Sequence, residues 1–266
     1  MVNSPYLIPE ISKIIQARLF GDPADNAPIT YLLTDSRQVR FAGQSLFFAL
    51  VCPHHDGHQF LEEAYQKGVR YFVISKMPGP WQHKDSSLLL VDDTLSALQQ
   101  LCRYHRERFD LQVIGITGSN GKTTVKEWLF QLLQDDFYIL RNPRSYNSQI
   151  GVPLSVWPLR EAHQMGIFEA GISQPGEMKN LAEIIQPTIG LLTNIGSAHD
   201  AGFKDRAQKI AEKLLLFRGA GVVIYRSGER DIDEALMRLG RPFFSWSFES
   251  GADVQILQVE RGNSST

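Results

Sequence analysis

The sequence predicts an α/β protein of two units, a small N-terminal α/β domain over residues 1–108 and a mostly parallel, helix-covered sheet over residues 109–266. Three observations predict it. From residue 113 onward, short apolar runs (113–117, 166–170, 189–194, 221–225) alternate with helix-spaced segments (124–133, 176–185, 205–217, 232–239), the order of βαβ units. A glycine-rich stretch, Gly118-Ser-Asn-Gly-Lys-Thr-Thr124, separates the first run from the first helix. Finally, 266 residues at 43% hydrophobic content supply more core than one domain of roughly 100–200 residues needs.

In chain order, residues 8–19 and 60–67 are spaced as helices and 45–50 form a short apolar run. Residues 71–74 and 88–91 read as strands, and 94–108 as a helix. The second unit begins near Phe109-Asp110. Its first helix repeats apolar residues at Val125, Trp128, Leu129, Leu132 and Leu133, the spacing of one face. The tail 254–260 reads as a strand, followed by polar Arg261-Gly-Asn-Ser-Ser-Thr266 with no natural ending, so the second unit is expected to be truncated.

Charge excludes some functions. With 27 basic and 29 acidic residues the formal net charge is −2, which leaves no basic footprint for nucleic acid. No apolar run approaches the roughly 18 residues of a membrane span, and Met1-Val-Asn-Ser-Pro-Tyr6 lacks the basic-then-apolar pattern of a signal peptide. The expectation is a cytoplasmic protein without membrane insertion. Cys52 and Cys102 have neither disulfide nor zinc spacing, which fits a reducing compartment.

Gly118, Ser119, Asn120, Gly121, Lys122, Thr123 and Thr124 read as a phosphate cradle. In a strand–loop–helix, backbone N–H groups point at a polyphosphate, Lys122 adds a point charge, and the Thr123 hydroxyl can ligate Mg²⁺. The strict pattern G-x-x-x-x-G-K-[ST] fails, because Ile116 stands where it needs glycine. The alternative is a glycine-rich turn capping a helix, with Lys122 solvated. In parallel sheets ligands bind beyond the carboxyl ends of the strands, which directs attention to 118–123, 169–173 and 194–199. Glu169 closes an apolar strand and needs a cation or donors to offset desolvation; a second Mg²⁺ and a backbone-bonded carboxylate are equally open readings. His199 also lies at a strand exit, but a lone histidine is more often structural, and imidazole is an unusual Mg²⁺ partner.

With these segments in order, nearly the whole chain resembles the Mur ligases, ATP-dependent amide-forming enzymes of peptidoglycan synthesis. Residues 118–128 look like the family's ATP loop, Tyr146-Asn-Ser-Gln-Ile-Gly-Val-Pro-Leu154 like its substrate-side motif, and Glu169-Ala-Gly-Ile-Ser-Gln-Pro-Gly-Glu177 like its acidic motif. Thr34-Asp-Ser-Arg37, Leu46-Phe-Phe-Ala49 and Asp56-Gly-His58 look like its UDP-sugar segments. The wording is nearest to members that join D-alanyl-D-alanine to UDP-N-acetylmuramoyl-tripeptide through an acyl phosphate, with ATP and Mg²⁺.

The resemblance implies roles. Lys122 would hold the β- and γ-phosphates, Thr123 and Glu169 would bind Mg²⁺, His199 would support a second metal, and Asn147 would lie between nucleotide and substrate. Lys213, 14 residues after His199, falls where family members carry a lysine converted by CO₂ to a carbamate. Its plainer reading is an i,i+4 pair with Lys209 on a solvated helix face. Asp35, Ser36, Arg37, Asp56 and His58 would lie near the UDP-sugar; among His54, His55 and His58, only the last matches the family pattern. Arg37 suits a diphosphate through its planar fork, a surface arginine being the alternative.

Departures from the family also stand in the sequence. Gly171-Ile-Ser-Gln174 replaces Gly-Ala-Asn-His, and Asn147-Ser148 replaces an Asn-Asn pair. Members also continue through the rest of the central domain into a C-terminal domain, so the 266-residue chain is expected to bind better than it catalyses. Relatives sharing this acidic motif are often fused to an alanine racemase. A folylpolyglutamate-synthetase-like ligase, another Mur-type ligase and a non-catalytic UDP-sugar- or ATP-binding fragment are the other readings; the first starts closer to its phosphate loop than the 117 residues that precede Gly118 here.

Overall fold

Helix α1 (Ile8–Ile14) opens with Pro9 in its first turn and stops earlier than its periodicity predicts. Gln16 takes a left-handed φ of 53°, and Ser12 closes the turn by donating its hydroxyl to Ala17 O. Residues predicted to continue the helix instead form strand β1 (Arg18–Phe20), because antiparallel pairing with β7 (Ser87–Leu90) is available there. The computed structural model describes residues 6–21, 28–52, 55–196 and 202–259. Contacts divide the chain into one unit of residues 1–110 with 156–161 and a second of residues 111–155 with 162–266.

The first unit also contains β2 (Tyr31–Leu33), β3 (Ser45–Phe48), a small hairpin of β4 (Val51–Cys52) and β5 (His55–Asp56), α2 (Leu61–Gln66), β6 (Tyr71–Ile74) and α3 (Thr94–Arg106). Its sheet runs β1-β7-β6-β3-β2, parallel except at β1. Phe47, Leu61, Phe72 and Ile74 form its core under α2. Segment 156–161 belongs to this unit rather than to the second domain that its sequence position suggests. Trp157 Nε1 donates to Thr30 O at 2.8 Å. Buried His105 donates from Nε2 to Leu159 O (3.1 Å) and accepts the Tyr6 hydroxyl on Nδ1 (3.0 Å). Burial pushes His105 down to about 4, which keeps this imidazole neutral.

The second unit is built on β8 (Gln112–Thr117), α4 (Lys122–Leu133), β9 (Ile139–Arg141), α5 (Gly151–Val156), β10 (Met165–Glu169) and α6 (Glu177–Ile185). It continues with β11 (Ile189–Leu192), α7 (Arg206–Leu214), β12 (Val222–Arg226), α8 (Arg230–Leu239), β13 (Phe243–Ser247) and β14 (Val254–Gln255). Its seven strands run β14-β13-β12-β11-β8-β10-β9, all parallel. The chain leaves β8 outward to β9, returns through β10 and then crosses to β11 on the other side. The order therefore reverses around β8, the switch point where parallel sheets bind ligands.

Among the described residues, three strands besides β1 and the β4–β5 hairpin escape the sequence pattern. β2 and β9 are three residues long, and β13 is Phe-Phe-Ser-Trp-Ser, too short or mixed to stand out. The tail strand is confined to Val254–Gln255. On α4, the turn-spaced Val125, Leu129 and Leu133 pack on Ile114, Ile116, Met165 and Ile167, whereas Trp128 (62% exposed) and Leu132 (74%) of the predicted apolar face point outward. Among the described residues no helix is long and apolar enough to cross a membrane.

Candidate active site

β8 delivers its loop at the centre of the sheet edge. Gly118, at φ +147°, brings its Cα so near the exit of β11 that an added Cβ would lie 2.0 Å from Thr193 Oγ1. Gly121, at φ +79°, supplies the left-handed turn that starts α4 at Lys122. The exit of β11 is laced to this loop. Asn194 O accepts from Ser119 N (2.7 Å), Asn194 Oδ1 from Asn120 N (3.2 Å), and Thr193 Oγ1 and Asn194 Nδ2 donate to Asn120 O (2.7 and 3.1 Å). Two loop N–H groups are thus engaged by Asn194. Among the described residues, Lys122 and the first-turn N–H groups of α4 are the donors left that could meet an anion.

Lys122 Nζ folds back on Gly118 O (2.9 Å) and Ser119 O (3.3 Å). Burial lowers its pKa, opposed by the nearby Glu169 carboxylate. Thr123 Oγ1 lies 2.9 and 3.2 Å from the two oxygens of Glu169 and 3.2 Å from Ser145 Oγ. Asn147 Nδ2 donates to Glu169 Oε1 at 3.3 Å. Glu169 is fully buried at the end of β10, and these bonds come from neutral groups only. Its desolvated charge calls for a cation, and the hydroxyl-plus-carboxylate oxygen set suits Mg²⁺.

From the other side, Lys213 on α7 is 2% exposed and donates to Gly118 O at 3.2 Å. Burial, then repulsion from Lys122 and Lys209, holds its ammonium down to about 8. Lys209, 1% exposed, donates to Gly196 O at 2.5 Å, so neither lysine lies on a solvated face as the plainer reading had it. The structure therefore brings Lys122, Thr123, Asn147, Glu169 and Lys213 around one loop. His199 lies outside the described residues. Among the described residues no group of three or more His, Cys, Asp and Glu side chains could hold a metal ion.

The sequence did not single out Lys126 and Asn142, both fully buried behind Glu169, or Ser145. Lys126 stands one turn beyond Lys122, but a lysine carries no sequence mark of burial. Asn194 stands in the 194–199 strand exit that the sequence marks.

In the first unit, a cavity of about 450 Å³ is lined by Thr34, Asp35, Ser36, Arg37, His55, Phe60 and Glu63. Asp35 caps the turn at Ser36–Gln38 and receives the Arg37 fork, Nε to Oδ1 and Nη2 to Oδ2, both at 2.9 Å. That pairing holds the Asp35 carboxyl down to about 2. Asp56 and His58 do not line this cavity. His58 donates from Nδ1 to Asp56 Oδ1 (2.7 Å) and accepts Ser75 N on Nε2 (3.0 Å), while Lys76 meets Asp56 Oδ2 at 2.6 Å. Both ring nitrogens are used in holding the turn.

A family model described as the Mur ligase middle domain matches residues 116–266. UDP-N-acetylmuramoyl-tripeptide--D-alanyl-D-alanine ligases from Haemophilus influenzae and Bacillus subtilis are 33% and 31% identical over 235 and 226 residues. Each alignment covers 84% of this chain and 49% of the relative. A crystal structure of MurF from Acinetobacter baumannii superposes with a TM-score of 0.84 at 30% identity, covering 95% of this chain and 55% of that one. The MurF ligase from Thermotoga maritima in complex with ADP gives 0.74 at 26% identity, with 84% and 51% covered. The chain thus spans about half the length of the relatives it matches. The reversal of strand order at β8, the loop-to-α4 cradle and a family match over more than half the residues converge, and the chain belongs to the Mur ligase family.

Proposed function

We propose that this chain forms the nucleotide- and UDP-sugar-binding part of a cytoplasmic ligase that joins D-alanyl-D-alanine to UDP-N-acetylmuramoyl-tripeptide using ATP and Mg²⁺. The observation that carries the reading is the meeting of Lys122 and Thr123, at the start of α4, with the buried Glu169. The Haemophilus and Bacillus relatives, named for this reaction, support the substrate pair.

Lys122 leaves its loop carbonyls to meet the β- and γ-phosphates, with the first-turn N–H groups of α4 taking the remaining oxygens. Thr123 Oγ1 and the Glu169 carboxylate hold Mg²⁺, which when bound neutralises phosphate charge. Asn147 fixes the Glu169 carboxylate through its amide. The tripeptide carboxylate attacks the γ-phosphorus in line, an O–P bond forms as the bond to ADP breaks, and the dipeptide amine then displaces phosphate from the acyl phosphate. Activation is needed because a carboxylate is a poor electrophile.

Lys213 fits carbamylation on physical grounds. Held to about 8, its amine is partly neutral near pH 7.5 and attacks CO₂, forming an N–C bond and releasing one proton. The product sets a negative group beside Lys122 and Lys209 instead of a third cation. In the first unit, Asp35, Ser36 and Arg37 line a cavity suited to the UDP-sugar, with Arg37 released from Asp35 toward the diphosphate. Asp56 and His58 support that region by fixing its neighbouring turn.

The test is ADP release by the complete gene product with ATP, Mg²⁺ and UDP-N-acetylmuramoyl-tripeptide, with and without D-alanyl-D-alanine. Dipeptide-dependent turnover that Lys122→Ala abolishes is expected. Turnover indifferent to the dipeptide would refute the acceptor assignment.

A further inference from the structure

Asn142 follows directly after β9, whose parallel ladder with β10 ends at the pair Arg141↔Ile167. Beyond that point its side chain replaces the ladder. Oδ1 accepts Glu169 N–H at 2.7 Å, and Nδ2 donates to Tyr146 O at 2.6 Å while lying 3.5 Å from Glu169 O. One fully buried amide therefore grips the main chain of Glu169 and the turn that leads to Asn147. Lys126, equally buried, donates from Nζ to Asn142 O at 2.8 Å and to Arg144 O. Arg144 has φ 50°, a left-handed conformation that a non-glycine residue holds only when its surroundings impose it.

The reversal over residues 142–146 is thus pinned from α4 by an ammonium and from inside by an amide. It carries Ser145 to Thr123 Oγ1 (3.2 Å) and leads into Asn147 at Glu169 Oε1 (3.3 Å). An apolar side chain at either position would leave the Glu169 N–H or the carbonyls of Asn142, Arg144 and Tyr146 without these partners.

We infer that Asn142 and Lys126 are positioning residues for the divalent cation, orienting the Glu169 carboxylate and the Ser145–Asn147 turn about Thr123 without touching nucleotide. The inference rests on the proposed Thr123–Glu169 cation site. It predicts a separation that a merely structural role does not give: loss of metal affinity with metal-free nucleotide affinity intact.

The experiment measures Mn²⁺ binding to the chain with saturating ADP by electron paramagnetic resonance, and ADP binding without metal by calorimetry. It compares the wild type, Thr123→Ala, Asn142→Ala and Asn142→Asp. Asn142→Asp keeps size and the Oδ1 acceptor but turns a carboxylate oxygen toward Tyr146 O, so it serves if Asn142→Ala does not fold. Both Asn142 variants are expected to weaken Mn²⁺ by roughly 10- to 100-fold, as loss of outer-shell partners does, with metal-free ADP affinity unchanged. A folded Asn142 variant that binds Mn²⁺ like the wild type while Thr123→Ala loses it overturns the inference alone. A parallel fall in metal-free ADP affinity also overturns it. Absence of Mn²⁺ binding by the wild type with ADP overturns the cation site itself, and this inference with it.

Discussion

Replacing Lys213 by methionine should stabilise the protein near neutral pH and destroy its function. Lys213 is buried beside two other lysines, and its ammonium is held from 10.5 down to about 8. At about 1.4 kcal/mol per pH unit, that gap costs the folded state about 3 kcal/mol. Well below pH 8 both folded and unfolded chains carry the proton and the cost is felt in full. Between 8 and 10.5 the unfolded chain binds more protons, so stability rises with pH, and above 10.5 the cost is gone. Methionine keeps most of the stem volume and removes the charge. Allowing about 1 kcal/mol for the lost bond to Gly118 O, Lys213→Met should gain about 2 kcal/mol at pH 7. Urea unfolding followed by tryptophan fluorescence, in buffer stripped of CO₂, measures the difference. At pH 10 the charge cost remaining in the wild type is below about 1 kcal/mol, so the gain should vanish. A variant less stable than the wild type at pH 7, or a difference of equal size at both pH values, would refute the reasoning.

Three further outcomes follow from other parts of the molecule. Gly118→Ala places a Cβ 2.0 Å from Thr193 Oγ1 and should cost about 1–3 kcal/mol in thermal unfolding while weakening ADP binding. His105 is neutral when folded, with its pKa lowered from 6.5 to about 4, so the unfolded chain binds more protons across that window; stability should fall as pH drops through it, by up to about 3 kcal/mol, and His105→Gln should flatten the acid limb of the unfolding profile. Arg37→Ala should reduce binding of the UDP-muramyl peptide by calorimetry, whereas unchanged affinity would remove Arg37 from that site.

The parallel sheet and the meeting of Lys122, Thr123 and Glu169 were legible because strand–loop–helix order and the strand-end rule act locally. The fate of individual side chains was not. Trp128 and Leu132 have the right spacing for a buried face, yet only the 125–129–133 row packs on β8 and β10, and both point to solvent. Lys126 and Lys209 carry no mark of burial in sequence, and Lys213 is set apart only by the family resemblance; all three are buried and donate to carbonyls at strand exits and turns. Arg18 and Leu19, which periodicity places in a helix, join β1 because the sheet edge beside β7, invisible in local periodicity, pairs with them. The resemblance places His58 near the UDP-sugar, and both nitrogens of its ring are engaged by Asp56 and Ser75.

The placement of residues 156–161 in the first unit bears on modularity. A gene fragment ending at Asp110 omits Trp157 and Leu159, and so strips Thr30 O and His105 Nε2 of these partners. Conversely, a fragment starting at Leu111 carries Trp157 without the surface that buries it. Neither unit is one uninterrupted stretch of code, so no single crossover transplants either of them intact and free of the other's residues.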